Sequence, residues 1–273
     1  MVNYSVFQNF TSECYFDGPY PHVLIRNAID EDLYDELEKT FPFNKRHPDY
    51  NKNNMRLNIG CEEMLANNTI TDHWRNFIEY NSGPEFWKDF SNIFQSAASK
   101  QYKLNLSKLK LIRDLRSSSK IKQEGADFSI DCRVAVNTPS TGENKKRKAQ
   151  PQANIVRGPH VDKWNALFFG LLYMRANKDD STGGALNIYK FKKGYRGPKY
   201  FGKGKGNAPG DSSEVNKDAI EVAETIEYSR NTFVLALNSP KAIHGVTPRA
   251  ITKHPRRFVN FIARYKEPLF KRF

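Results

Sequence analysis

Apolar positions are patterned differently in the two halves of the chain. In the second half, short runs rich in branched and aromatic residues recur, each bounded by Gly, Pro or Asn. Asn165–Met174 (NALFFGLLYM) is almost continuously apolar, and Gly183–Phe191 (GGALNIYKF) reads as a turn followed by a strand. Asn231–Asn238 (NTFVLALN) reads as a buried strand, Ala242–Pro248 (AIHGVTP) as a strand edge, and Arg256–Tyr265 (RRFVNFIARY) as a closing strand. Runs of this length and punctuation predict the short strands of an all-β sandwich or barrel.

The first half is paced for helices. Asp30–Phe41 (DEDLYDELEKTF) offers an Asp cap, acidic residues in its first turn, and Leu33, Leu37 and Phe41 four apart; Pro42 stops it. Thr71–Asn81 and Pro84–Tyr102 repeat the pattern, the second with Pro84 suited to a first helical turn. Their Trp, Phe and Ile stripes read as core rather than as cofactor contacts. Pro21–Ile29 reads as a strand leading into the first helix. The prediction is therefore a mainly β, α+β chain. Residues 1–125 supply helical support and the first strands, and 126–273 form the β core.

Composition adds limits. At 273 residues the chain can bury one sizeable core, which predicts a single domain over 1–273. Mean hydropathy is −0.71 and no apolar run approaches about 18 residues, so no membrane-spanning helix is predicted. The first residues lack a charged segment followed by an apolar one, which predicts a cytoplasmic protein without a secretory signal. Cys14, Cys61 and Cys132 are odd in number and widely scattered, which reads as reduced thiols rather than a disulfide framework or zinc site.

Candidate chemistry sits among the strands. His160 and Asp162 are separated by Val161, and His244 follows some eighty residues later. On extended backbone, residues i and i+2 point to the same side, so His160 and Asp162 can reach one ion while Val161 faces away. Two imidazoles and one carboxylate can hold Fe(II) on one face and leave the opposite positions open. A lone His is more often a satisfied or exposed side chain; the order of elements around this one gives it weight. His22, His47 and His73 have no carboxylate at ligand spacing and read as non-ligands.

That order resembles the Fe(II)/2-oxoglutarate-dependent oxygenases, especially the prolyl-4-hydroxylase-like branch, over roughly Arg157 to Tyr265. The matching residues are His160 and Asp162, Tyr173-Met174-Arg175, Gly183-Gly184-Ala185-Leu186, and His244-Gly245-Val246-Thr247-Pro248. Met174-Arg175 departs from the family's usual Leu-Asn. The resemblance implies a double-stranded β-helix (jelly roll) core with N-terminal support. It also implies His160, Asp162 and His244 as the catalytic metal ligands, Fe(II) as cofactor, and dioxygen and 2-oxoglutarate as cosubstrates, with release of succinate and CO2. Because Asp162 is present, hydroxylation is implied rather than halogenation.

A dicarboxylate needs a cation at the end remote from the metal, and the planar fork of Arg serves best. Arg256 and Arg257 follow His244 by twelve and thirteen residues, slightly beyond the commonest spacing of the family it resembles, a difference the Lys253-His254-Pro255 turn can absorb, and on a strand only one can face inward. Arg256 shares its face with Asn260 and is favoured; Arg257 and, further out, Arg249 remain alternatives. Tyr173 can add its hydroxyl. The substrate stays open among prolyl peptide, free amino acid, sugar and nucleobase. Two other classes also stay open. One is a non-catalytic or differently metallated jelly roll, which would not turn over 2-oxoglutarate. The other is an oxygenase acting on nucleic acid, which would need a base-flipping pocket fed by a basic groove.

The net charge of +13 favours acidic partners. Lys145-Lys146-Arg147-Lys148 lies in a polar stretch, and Lys190–Lys205 is basic and interleaved with Tyr195, Tyr200 and Phe201. The second run can be read as a nucleic-acid surface. The favoured reading is a glycine-rich lid over Lys192–Val215 that helps select an acidic or polar substrate.

Overall fold

The structure is a computed structural model that describes residues 2–43, 47–114, 117–141, 157–195 and 213–270. The chain begins with β1 (Tyr15–Phe16), β2 (His22–Arg26) and α1 (Glu31–Lys39). Next come β3 (Arg56–Ile59), α2 (Cys61–Ala66), α3 (Asp72–Asn81) and α4 (Pro84–Tyr102), then β4 (Leu111–Arg113) and α5 (Ser118–Gln123). The rest is strand: β5 (Phe128–Asn137), β6 (His160–Val161), β7 (Ala166–Tyr173), β8 (Leu186–Phe191) and β9 (Ser213–Glu214), then β10 (Ile220–Ile226), β11 (Thr232–Leu237), β12 (His244–Val246) and β13 (Arg256–Tyr265).

The helices begin where their capping chemistry places them. Asp30 accepts from the N–H groups of Asp32 and Leu33 at the start of α1, and Thr71 accepts from that of Trp74 in α3. Each cap satisfies a backbone donor that has no partner within its helix. Pro84 opens α4, where its missing N–H costs nothing.

Among the described residues the strands form two sheets. The larger has the order β1-β2-β11-β7-β13-β5-β3, with β4 parallel to β5; the smaller has the order β10-β8-β12-β6-β9. The outer face of the larger sheet carries Phe128, Ile130, Cys132 and Val134 from β5, and Val259, Phe261 and Ala263 from β13. It shares one core with Leu33 and Leu37 of α1, Trp74 and Phe77 of α3, and Phe86, Phe90 and Phe94 of α4. Burying a Phe of this kind is worth roughly 1.5–3 kcal/mol, so the aromatic stripes of the helices are accounted for by packing. The inner face carries Ala135, Phe258, Tyr173, Leu171 and Phe169, which pack with Leu186 and Ile188 of β8 in the smaller sheet. The site lies between the two sheets.

The predicted helices and strands fall within a few residues of α1, α3, α4, β2, β7, β8, β11, β12 and β13. The central strand β5 is not among the predicted runs, because Ser129, Asp131, Arg133 and Asn137 interrupt its apolar residues. Those residues lie on its inner face, opposite Arg264, Ile262, Asn260 and Arg256 of β13. Of the basic runs, 142–156 and 196–212 lie outside the described residues, so the Lys145–Lys148 cluster and most of the lid segment do too. The ends of that segment are described. β8 leads into it, and on its return β9 pairs with β6, opposing Glu214 to His160. No described helix is long and apolar enough to cross a membrane.

Candidate metal centre

His160 lies on β6, His244 on β12, and the antiparallel pairing of these short strands sets the two residues directly opposite each other. Asp162 follows β6 by one residue. His160 Nε2 stands 3.5 Å from Asp162 Oδ1, and His244 Nε2 stands 3.7 Å from Asp162 Oδ2. One ligand atom from each of the three lies within 4.8 Å of the others. Ligands about 2.1 Å from one divalent ion, on one face of it, stand roughly 3 Å apart, so the three donors gather close to the spacing that one ion requires.

The imidazoles are already oriented for this. His160 Nδ1 lies 2.8 Å from the carbonyl of Gly158, and His244 Nδ1 lies 3.1 Å from that of Ala242. A carbonyl only accepts, so each Nδ1 carries the proton and each Nε2 presents its lone pair to the centre. The Phe169 ring stacks on His244 with centroids 3.7 Å apart and fixes its plane. Burial, reinforced by the charge of His160, pulls the His244 pKa down to about 3, so its ring is neutral at ordinary pH. At Asp162, burial alone would raise the pKa. At the low pH where the carboxyl would take up a proton the imidazoles are charged, and the hydrogen bond His160 can then donate, with the fields of His244, His160 and Arg157, outweighs burial and holds the carboxyl well below the usual carboxylate range. Arg157 Nη1 also donates to Asp162 Oδ1 at 3.3 Å. The donor set and its preset tautomers fit a divalent transition-metal ion.

The alternatives for the remote cation separate cleanly. Arg256 is 2 % exposed and points between the sheets. Its Nε donates to the carbonyl of Gly184 at 2.7 Å and its Nη2 to the Tyr173 hydroxyl at 3.1 Å; Nη1 reaches Asn137 Oδ1 at 3.4 Å. All three partners are neutral, and among the described residues no carboxylate pairs with it. Burial, opposed by the Arg256 charge, raises the Tyr173 pKa. Its hydroxyl therefore keeps its proton, accepts from Arg256 and can donate to an incoming anion. Arg257 takes the opposite face and pairs with Glu38 of α1. Arg249 is fully buried, but its fork is taken by the carbonyls of Thr138 and His254 and by Asn54 Oδ1.

The Gly-Gly pair shapes the surroundings of Arg256. Gly183 has φ +78°, and a Cβ there would lie 1.9 Å from the carbonyl oxygen of Pro248. Gly184 has φ +79°, and its Cβ would meet Arg256 Cδ at 3.0 Å. Only glycine allows this path at that separation. Arg175, which departs from the family pattern, donates to the carbonyls of Asp179, Ser181 and Tyr228 and ties down the loop that leads to the glycines.

Sequence reasoning passed over Asn137, Phe169 and the ligand contact of Arg157. For Asn137 the signal was present: Phe128–Asn137 alternates apolar and polar positions with period two. The histidines read as non-ligands lie elsewhere: His73 contacts the Tyr4 hydroxyl, His47 accepts from the Asp49 N–H, and His22 lies 3.5 Å from Glu224. A second group, Cys61, Asp114 and Asp131, gathers around Asp131 of β5. There Asp131 accepts the Cys61 N–H and pairs with Arg133. Burial and the Asp131 charge push the Cys61 thiol up to about 12, far from a ready thiolate.

No protein-family model and no curated protein matches the sequence. Solved structures similar to this chain include prolyl-4-hydroxylases and other 2-oxoglutarate/Fe(II) oxygenases. A prolyl-4-hydroxylase from Pseudomonas putida is 11 % identical, with a TM-score of 0.42 over 89 % of this chain and 92 % of that one. A dioxygenase for auxin oxidation from rice is 10 % identical, with a TM-score of 0.42 over 90 % and 74 %. The α-ketoglutarate-dependent epimerase SnoN of nogalamycin biosynthesis is 11 % identical, with a TM-score of 0.41 over 89 % and 78 %. The overlaps are partial, and the functional reading rests on the residues of the site.

Proposed function

We propose that the chain is an Fe(II)- and 2-oxoglutarate-dependent dioxygenase that hydroxylates its substrate, its two sheets forming a jelly roll and its helices part of the same single domain. One observation carries the reading. A His-Asp-His group with both Nε2 atoms preset toward one point shares the space between the sheets with a buried guanidinium that has only neutral partners. A buried cation without a counter-charge is costly, and a bound dicarboxylate relieves that cost while its other end reaches the metal. From Phe169, against His244, to Tyr173, against Arg256, is four residues of one strand, about 13 Å. The long Arg side chain and a short dicarboxylate together span that distance.

In this reading His160, Asp162 and His244 hold the ion on one face and leave its other positions open. Arg256 and Tyr173 bind the remote carboxylate of 2-oxoglutarate and so fix the end that must meet the metal. Leu171, Leu186, Ile188 and Phe258 wall the intervening space and exclude water. Arg157 holds one oxygen of Asp162 in place. Bound Fe(II) would supply the chemistry that activates dioxygen, with 2-oxoglutarate decarboxylated to succinate and CO2. The test is Fe(II)-dependent formation of succinate, followed by a mass-spectrometric search of substrate panels for products carrying one added oxygen atom. A protein that binds the metal and forms no succinate with any panel would sink the proposal.

A further inference from the structure

The inner face of the larger sheet can be followed row by row from its register. One row holds Asn58, Ala135, Phe258 and Tyr173; the next holds Arg133, Asn260 and Leu171; the next Asp131, Ile262 and Phe169; and beyond it stand Ser129 and Arg264. Phe169 stacks on His244, so the candidate metal lies over the third row. Arg133 and Arg264 therefore start one step to either side of it, each about 7 Å along its strand. Arg157 approaches the same point from the opposite sheet, through its hydrogen bond to Asp162.

Arg264 is half-buried and, among the described residues, has no hydrogen-bond or ion-pair partner, yet it lies within electrostatic reach of Arg133, Asp131 and Asp162. Arg133 is 27 % exposed and spends its Nε on Asp131, whose other oxygen accepts the Cys61 N–H and which has Asp114 beside it. Asp162 is committed to the two histidines and Arg157. Along the same face, the guanidiniums of Arg56 and Arg256 both lie over the Phe258 ring, at 5.0 and 4.8 Å. Arginines gathered on one side of the sheet repel one another, and the potential they build is relieved by an anion. The 2-oxoglutarate anchor does not use Arg133, Arg157 or Arg264.

We propose that the primary substrate carries an oxyanion, a carboxylate or a phosphate, which Arg264 holds beside the metal together with Arg133 and Arg157. The inference rests on the oxygenase reading and narrows its substrate class. Neutral peptides and unmodified sugars do not supply such a group, whereas carboxylates and phosphate esters do. The fork of Arg264 meets either with two parallel hydrogen bonds.

The full chain is loaded with Mn(II), and the cosubstrate position is saturated with N-oxalylglycine, an unreactive isostere of 2-oxoglutarate. Paramagnetic relaxation is then read on two probes in separate arms, methyl phosphate by phosphorus NMR and acetate by carbon NMR. Relaxation by the metal falls so steeply with distance that only an anion held beside the ion responds. The expected result is a saturable response in at least one arm, and the arm that saturates at lower concentration names the anion class. Arg264→Gln should weaken that binding roughly ten- to hundredfold, Arg264→Lys should restore part of it, and Lys39→Gln on α1 should leave it unchanged. Arg264 is the residue to change first, because removing Arg133 would strand the buried Asp131; Arg133→Lys is the companion variant. No saturable response in either arm, or an Arg264→Gln response equal to that of the unaltered protein, overturns the proposal while the oxygenase reading stands. If the unaltered chain leaves the electron paramagnetic resonance signal of free Mn(II) undiminished, the oxygenase reading fails and this inference with it.

Discussion

Removing the Arg256 fork should disable recognition of 2-oxoglutarate while sparing the metal centre. Arg256 donates to the Gly184 carbonyl, the Tyr173 hydroxyl and, at longer range, Asn137. A carboxylate arriving there would gain charge-assisted hydrogen bonds from Arg256 and one from Tyr173. A hydrogen bond to a charged group is worth roughly 1.5–3 kcal/mol, and each 1.4 kcal/mol is about tenfold in affinity. Arg256→Lys keeps the charge and loses the fork, so the KM for 2-oxoglutarate should rise about tenfold. Arg256→Gln loses both and should raise it roughly a hundredfold. The truncation also leaves the buried Gly184 carbonyl unpaired, at a cost of about 1–3 kcal/mol, so thermal melting is followed in parallel. The assay is succinate formation at saturating Fe(II), with N-oxalylglycine-induced thermal stabilisation as a binding readout independent of turnover. Arg257→Gln is the control: it breaks the pair with Glu38, in which the side chains are 15 % and 18 % exposed, and should lower stability without moving KM. A raised KM in Arg257→Gln with an unchanged one in Arg256→Gln would refute the assignment.

His244→Ala, His160→Ala and Asp162→Ala should each abolish Fe(II)-dependent succinate formation while the melting transition survives; full activity in any of them removes that residue from the metal site. Gly183→Ala places a Cβ against the Pro248 carbonyl at positive φ and should cost about 2 kcal/mol or more in thermal or denaturant unfolding. Gly184→Ala presses on Arg256 and should raise the 2-oxoglutarate KM with a smaller effect on melting; the reverse ranking would show that the turn does not shape the anchor. Asp127 accepts from the Lys110 N–H at 2.8 Å and from Lys266 at 2.6 Å. Burial opposes its ionisation, but these donors prevail and hold its pKa below the ordinary 3.8. The stabilisation is thus present above pH 3.8 and lost as pH falls through the lower folded value. Asp127→Asn should cost roughly 1 kcal/mol at pH 7, allowing for solvent screening, and progressively less below pH 4; a constant deficit would argue against the charge.

The sequence alone determined the three longest helices and six of the thirteen described strands, because their information is local. Asp30 and Thr71 cap, Pro42 and Pro84 punctuate, and apolar residues recur at the period of the element that buries them. It also set His160 and Asp162 on the same side of extended backbone, where residues i and i+2 point alike. Three things required the tertiary structure. The alternation of β5 was legible, but that its polar residues Asp131, Arg133 and Asn137 face an interior was not, because only the second sheet makes that face interior. Arg256 and Arg257 are adjacent and chemically identical, and their fates diverge only because β13 has α1 and Glu38 on one side and the enclosed space on the other. The arginines around Asp162 come from β5, β13 and the approach to β6, far apart in the chain. Their shared field exists only after long-range antiparallel pairing has brought those strands into one register.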